Sequence, residues 1–186
     1  MIQHQLTTTA KELEQILALQ QQNLSKNLST QEKKEQGFVT LEHSFQELKK
    51  FHDIYPHIIA KDNNILVGYA LSMDKSCKGD IELLRPMFDE IDAIYYDPYI
   101  VMGQICIDHN YRGKGVFKGL YTLMQKTFAS KYTAIITEID IEIIKKIKFI
   151  MINENFVVNK KSPKKLPVGN NGIKIINKLI NDPIFK

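Results

Sequence analysis

Apolar and polar positions divide the chain into short elements. Thr9 and Glu12 stand at capping-box spacing, and Leu13, Ile16, Leu17 and Gln20 recur on one narrow face, which predicts a helix over 9–22. The polar stretch NLSKNLSTQEKKEQGF that follows predicts an ordered loop or one short helix. Ser44 and Glu47 repeat the capping spacing, and Phe45, Leu48 and Phe51 support a second short helix. Residues 57–73 read as a β-hairpin, HIIAK and ILVGYALSM around the turn formers Asp62, Asn63 and Asn64.

The next stretch, 74–98, is less regular. Asp80, Glu82, Asp89, Glu90 and Asp92 interleave with Leu83, Leu84, Met87, Phe88, Tyr95 and Tyr96. It reads either as a short helix with a wet face or as the lining of a pocket for an amine. YIVMGQICI from Tyr99 is then a strand, and Val116, Leu120, Leu123, Met124 and Phe128 fall at helical intervals. TAIITEID is a further strand ending in Glu138 and Asp140. IEIIKKIKFIMINENF predicts a helix leading into a strand at 156–158. Residues 159–186, broken by Pro163, Pro167 and Gly169, fit a last strand or a helix.

No internal repeat or linker divides the 186 residues, so one domain over 1–186 is expected. The composition, 44% hydrophobic and 25% charged, is that of a globular protein. Cys77 and Cys106 have no metal-ligand spacing and suggest no disulfide framework, which points to a reducing compartment. The N-terminus lacks the pattern of a secretory signal, and no apolar run is long enough to span a membrane, so a cytoplasmic address is expected. His52, Asp53 and His57 match no zinc motif, and no metal is expected. The net charge of +4 is unevenly placed, with ten lysines against Glu154 and Asp182 in 145–186. That basic tail carries no aromatic platform and no helix-turn-helix pattern, so a solvated surface rather than a nucleic-acid partner is expected.

The chemistry concentrates between the strand at Tyr99 and the helix at Val116. A strand, a tight turn with Arg112, Gly113, Lys114 and Gly115, and a helix start make an anion seat. The first amides of a helix lack intrahelical partners, its dipole is positive there, and glycine lets backbone approach a phosphate. A Walker A loop is excluded, because Val116 and Phe117 follow Gly115. A dinucleotide fingerprint is nearly met by Gly113 and Gly115, but Lys118 takes the third glycine position and Gly119 comes one residue late.

The segment IDHNYRGKGVFKGLYTLM resembles motif A, Q/R-x-x-G-x-G/A, of the GNAT family of acyl-CoA-dependent N-acetyltransferases. Arg112 and Gly115 fill its first two fixed positions, and Phe117 stands at the last. The order of elements over about 5–158 is similar too. The resemblance implies a single α/β domain with a mixed, mostly antiparallel central sheet flanked by helices. It implies acetyl-CoA as co-substrate, its pyrophosphate on the amides of Arg112, Gly113, Lys114, Gly115, Val116 and Phe117. It also implies that the pantetheine arm pairs with the backbone of Ile105, Cys106 and Ile107 and enters a gap beside TAIITEID. The acceptor would be a small-molecule or peptide primary amine, weakly favoured as cationic by the acidic stretch. Glu138, at the end of the strand beside the cleft, is the candidate base, with Asp108 and His109 as rivals. Aligning Asn155-Phe156 to the family's Gly-Phe pair puts Met151 where many members carry a Tyr proton donor. A CoA-binding module without turnover is therefore the alternative, followed by a dinucleotide enzyme. Pairing through the last strands would give a homodimer.

Overall fold

The computed structural model describes residues 1–136 apart from Gly37 and Ile94. Glu138, Asp140, Met151, Asn155-Phe156 and the elements expected after Ile136 lie outside the described residues. Among the described residues five strands form one sheet in the order β1 (Gln3–Leu6), β2 (Ile58–Asp62), β3 (Ile65–Asp74), β4 (Tyr99–Ile107) and β5 (Ala134–Ile136). The first four are antiparallel neighbours and β4–β5 is parallel. This is the mixed, mostly antiparallel sheet expected from the sequence. It leaves the dinucleotide reading without the doubly wound parallel sheet that reading requires.

Local chemistry accounts for most of these connections. The β2–β3 turn is carried by Asn63 (φ 48°) and Asn64 (φ 67°), two left-handed residues in succession. That is the twist a two-residue hairpin needs, and asparagine tolerates it better than most residues. β4 and β5 run parallel, so a crossover must join them, and helix α5 (Val116–Phe128) supplies it. Its Val116, Leu120, Met124 and Phe128 are all buried against one face of the sheet, with Ile58, Val67, Ile100 and Met102. Each such side chain contributes about 1.5–3 kcal/mol by leaving water.

Helices α1 (Ala10–Asn23) and α3 (Phe45–Ile54) cover the other face, where Leu13, Ile16, Leu19 and Leu48 pack on Ile59, Tyr69 and Leu71. Both expected capping boxes are formed, Thr9 with Glu12 and Ser44 with Glu47. A short helix α2 (Thr30–Gln36) occupies the polar stretch between them. Helix α4 (Arg85–Asp92) puts Met87, Phe88 and Ile91 against Tyr99 and Val101. Strand β1 had no signal in the sequence, since QHQL offers no apolar alternation. Its order comes from β2, on which Gln3 to Leu6 pair with Lys61 to Ile58.

Two buried titratable groups on this scaffold tie stability to pH. Burial alone would raise the Glu12 carboxyl, but Lys61 at 2.7 Å and the amides of Thr8 and Thr9 outweigh it and bring the pKa to about 2. A carboxyl depressed on folding contributes stability above its unfolded value, and that stability is lost as pH falls through the folded one. Glu12→Gln should therefore cost about 2–3 kcal/mol at neutral pH. It should also flatten the fall in melting temperature between pH 4.5 and about 2. An unchanged slope in that window would remove Glu12 from the account. His57 acts in the same direction, since burial lowers it to about 3. Its Nδ1 accepts the Ser72 amide at 3.1 Å, so the proton sits on Nε2, 3.1 Å from the Leu48 carbonyl. With His52 bonded to Thr7 at 2.9 Å, these histidines serve the fold.

Candidate active site

β4 leads into the glycine turn, and a bulge divides the strand. Ala70 pairs with Ile105, but Ser72 pairs with Met102, so Gly103 and Gln104 together oppose Leu71. An extra residue reverses the side-chain alternation beyond it. Ile100 and Met102 face α5, and so do Ile105 and Ile107, whereas Tyr99, Val101 and Cys106 face the other side. Gly103 fits because a Cβ there would collide with the Met73 sulfur.

The reversal sends Gln104 to the α1 side, where it meets other polar groups. Its Oε1 accepts from Tyr69 Oη at 2.5 Å and from Gln20 Nε2 at 3.1 Å, while its Nε2 donates to the Leu41 carbonyl at 2.7 Å. Gln20 Oε1 in turn accepts from the His43 amide at 3.0 Å. Gln104, Tyr69 and His43 were not singled out in the sequence, and Gln20 only as part of one helix face. They come together only through the bulge, and no spacing signals them.

After Ile107 the turn is built from its own backbone. Asp108 Oδ1 accepts the Asn110 amide at 2.8 Å, and the Tyr111 amide returns to the Asp108 carbonyl at 2.9 Å. Gly113 and Gly115 have φ +70° and +76°, a region that suits glycine, and open space surrounds the position of a Cβ at either. Gly115 stands immediately before α5, whose first rung runs from the Gly119 amide to the Gly115 carbonyl at 3.1 Å. A helix end of this kind attracts an anion through its amides and dipole. Lys114 Nζ lies 5.2 Å from the Tyr111 ring centroid, beside the loop.

The expected site residues divide by role. Gly113, Lys114, Gly115, Val116 and Phe117 form the turn and the helix start. Arg112 turns away from a purely ligand-facing role, because its Nε donates to Ile107 O at 3.2 Å and its Nη2 to Asn23 Oδ1 at 2.9 Å. Those bonds clamp the end of β4 to the end of α1. Ile105, Cys106 and Ile107 pair with Ala70, Tyr69 and Gly68 through one strand edge. Among the described residues, β4 pairs with β5 only over Tyr99–Val101. Burial pushes the Cys106 thiol up to about 12 and the Cys77 thiol to about 11, so neither is a nucleophile at neutral pH. The acidic stretch is ion-paired rather than bare: Asp80 to Lys50, Glu82 to Arg85, Asp89 to Lys78, and Asp92 to Lys75 and Lys78. It is the helix with a wet face, and those pairs withdraw its support for a cationic acceptor. Among the described residues no helix is long and apolar enough to cross a membrane.

No protein-family model matches the chain, and no curated protein does. Solved structures do match. One is the NatC complex bound to Gag peptide and CoA, at TM-score 0.51 and 18% identity, covering 76% of each chain. Another is the GNAT family N-acetyltransferase YhbS of Escherichia coli in complex with CoA, at TM-score 0.50 and 12% identity, covering 77% of this chain and 66% of that one. A third is an aminoglycoside acetyltransferase from an uncultured soil metagenomic sample, at TM-score 0.50 and 12% identity, covering 85% and 95%. With its mixed sheet flanked by helices, the chain thus has the fold of the GNAT acetyltransferases.

Proposed function

We infer that the protein transfers an acetyl group from acetyl-CoA to a primary amine. The observation that carries this reading is the turn Arg112–Gly115 between a bulged strand and α5, with two glycines in the left-handed region and room around both. In this reading the amides of the turn and of Val116 and Phe117 take the pyrophosphate. The backbone of Ile105, Cys106 and Ile107 guides the pantetheine arm. An amide donor near the bulge would polarise the thioester carbonyl, and the amine would attack it directly. The similar structures include two CoA complexes, one of them with a peptide, and an aminoglycoside acetyltransferase, which supports a CoA-type ligand and an amine acceptor in general terms.

The test is calorimetric titration with acetyl-CoA, NADPH serving as control. Selective micromolar binding is the expected result; no binding to folded protein would overturn the reading. Glu138 is proposed as one of two candidate bases; if it is the base, Glu138→Gln slows thiol release while keeping acetyl-CoA affinity. A second reading, a CoA-binding module without turnover, is favoured by Met151 at the family's Tyr position. It predicts the same binding with no thiol release from any amine.

A further inference from the structure

His43 is only 2% exposed, and neither of its ring nitrogens has a hydrogen-bond partner among the described residues. Buried polar atoms nearly always have one, so an orphaned imidazole points to a bound water or to a ligand. Burial by itself does not produce this state. His57 is equally buried and uses both ring nitrogens.

The position of His43 is fixed by the network at the bulge. Its amide is held by Gln20, Gln20 is held by Gln104, and Gln104 holds the Leu41 carbonyl two residues away. The ring meets Phe51 edge-on at 6.0 Å, on the face of the sheet to which Gln104 turns. Residues 40–44 form no helix or strand. Opening this strap breaks the bonds of Gln20 and Gln104 to its main chain and those of Glu42 to Gln21 and Lys26, not a ladder.

Burial holds the His43 imidazole below its ordinary value, and Glu47 opposes this. The titratable groups that act on it are Glu47 of α3, which raises it, and His57 ahead of β2, which burial keeps neutral. A neutral imidazole with both ring nitrogens unpartnered can take a proton from a cation at one of them and donate at the other.

Resting on the acyl-transfer reading, we propose that His43 accepts the proton of the acceptor's ammonium group beside the β4 bulge. The ammonium N–H bond breaks and its proton moves to a ring nitrogen. The freed amine forms a bond to the thioester carbonyl carbon, and the C–S bond breaks with its electron pair on sulfur. The imidazolium returns its proton to the thiolate, and the second amine proton leaves to solvent.

The experiment follows thiol release from acetyl-CoA across pH with spermidine, 2-phenylethylamine and a tetrapeptide with a free amino terminus. His43→Gln and Glu138→Gln are compared with the wild type, with acetyl-CoA affinity measured on each. His43→Gln should lower kcat by about 100-fold or more. It should also lose the acidic limb of the profile and keep acetyl-CoA affinity. Retention of that limb in His43→Gln, or its loss only in Glu138→Gln, overturns the proposal. Should no probe react, or His43→Gln fail to fold, ¹⁵N-histidine spectra of the acetyl-CoA-bound wild type decide. His43 ring resonances must move when the amines are added, and unmoved resonances overturn the proposal. Failure of the wild type to bind acetyl-CoA would instead sink the acyl-transfer reading itself.

Discussion

Gly115→Asp is expected to weaken acetyl-CoA binding by at least 100-fold, about 3 kcal/mol, while the protein stays folded. Three features combine at this position. The φ of +76° disfavours any side chain, at a cost of about 1–2 kcal/mol. A Cβ there meets no atom within 4 Å, so no core contact is broken. The new carboxylate stands at the head of α5, where the helix end already attracts negative charge, and there it replaces the anion the site is proposed to hold. Part of the strain is offset by that favourable charge. Gly115→Ala separates the terms, because it carries the strain without the charge. The alanine variant should lose about 1 kcal/mol of stability and only a small part of the binding. Equal loss of affinity in both variants would assign the effect to backbone distortion, and undiminished affinity in Gly115→Asp would put the site elsewhere.

Gln104→Leu should cost about 3 kcal/mol or more, because Tyr69 and Gln20, both fully buried, lose their partner at once. For a chain of this length that is a fall of about 6–12 °C in melting temperature. The Leu41 carbonyl loses its donor as well, so the strap that carries His43 should loosen. The size of the penalty comes from orphaned groups more than from lost bonds. Tyr69→Phe in the Gln104→Leu background should therefore recover stability, since it removes a buried hydroxyl that has lost its Gln104 acceptor. Additive losses in the double variant would mean that the two residues do not share one network.

Elements with local signals were legible in the sequence. The two capping boxes, the Asn63-Asn64 hairpin and the apolar stripe of α5 each depend on residues within a few positions of one another, and each formed as expected. The glycine turn was legible for the same reason, since a left-handed backbone asks for glycine wherever it occurs. Strand β1 was not, because its order is borrowed from β2, more than fifty residues away. The acidic stretch was legible as charge but not as partners. Lys50, 30 residues from Asp80, neutralises it from another helix.

By itself the sequence determined where the chain turns, which helices are capped, and that a glycine turn stands between a strand and a helix. Only the tertiary structure decided which face each residue of β4 presents. A side-chain alternation of two is rigid, so one extra residue at Gly103-Gln104 sends Gln104 and Cys106 to the α1 side and Ile105 and Ile107 to the α5 side. The pairing of β3 with β4 sets that register, and the sum of many contacts sets the pairing. Gln20, His43, Tyr69 and Gln104, scattered over 84 residues, therefore meet at one point for a reason no local spacing carries.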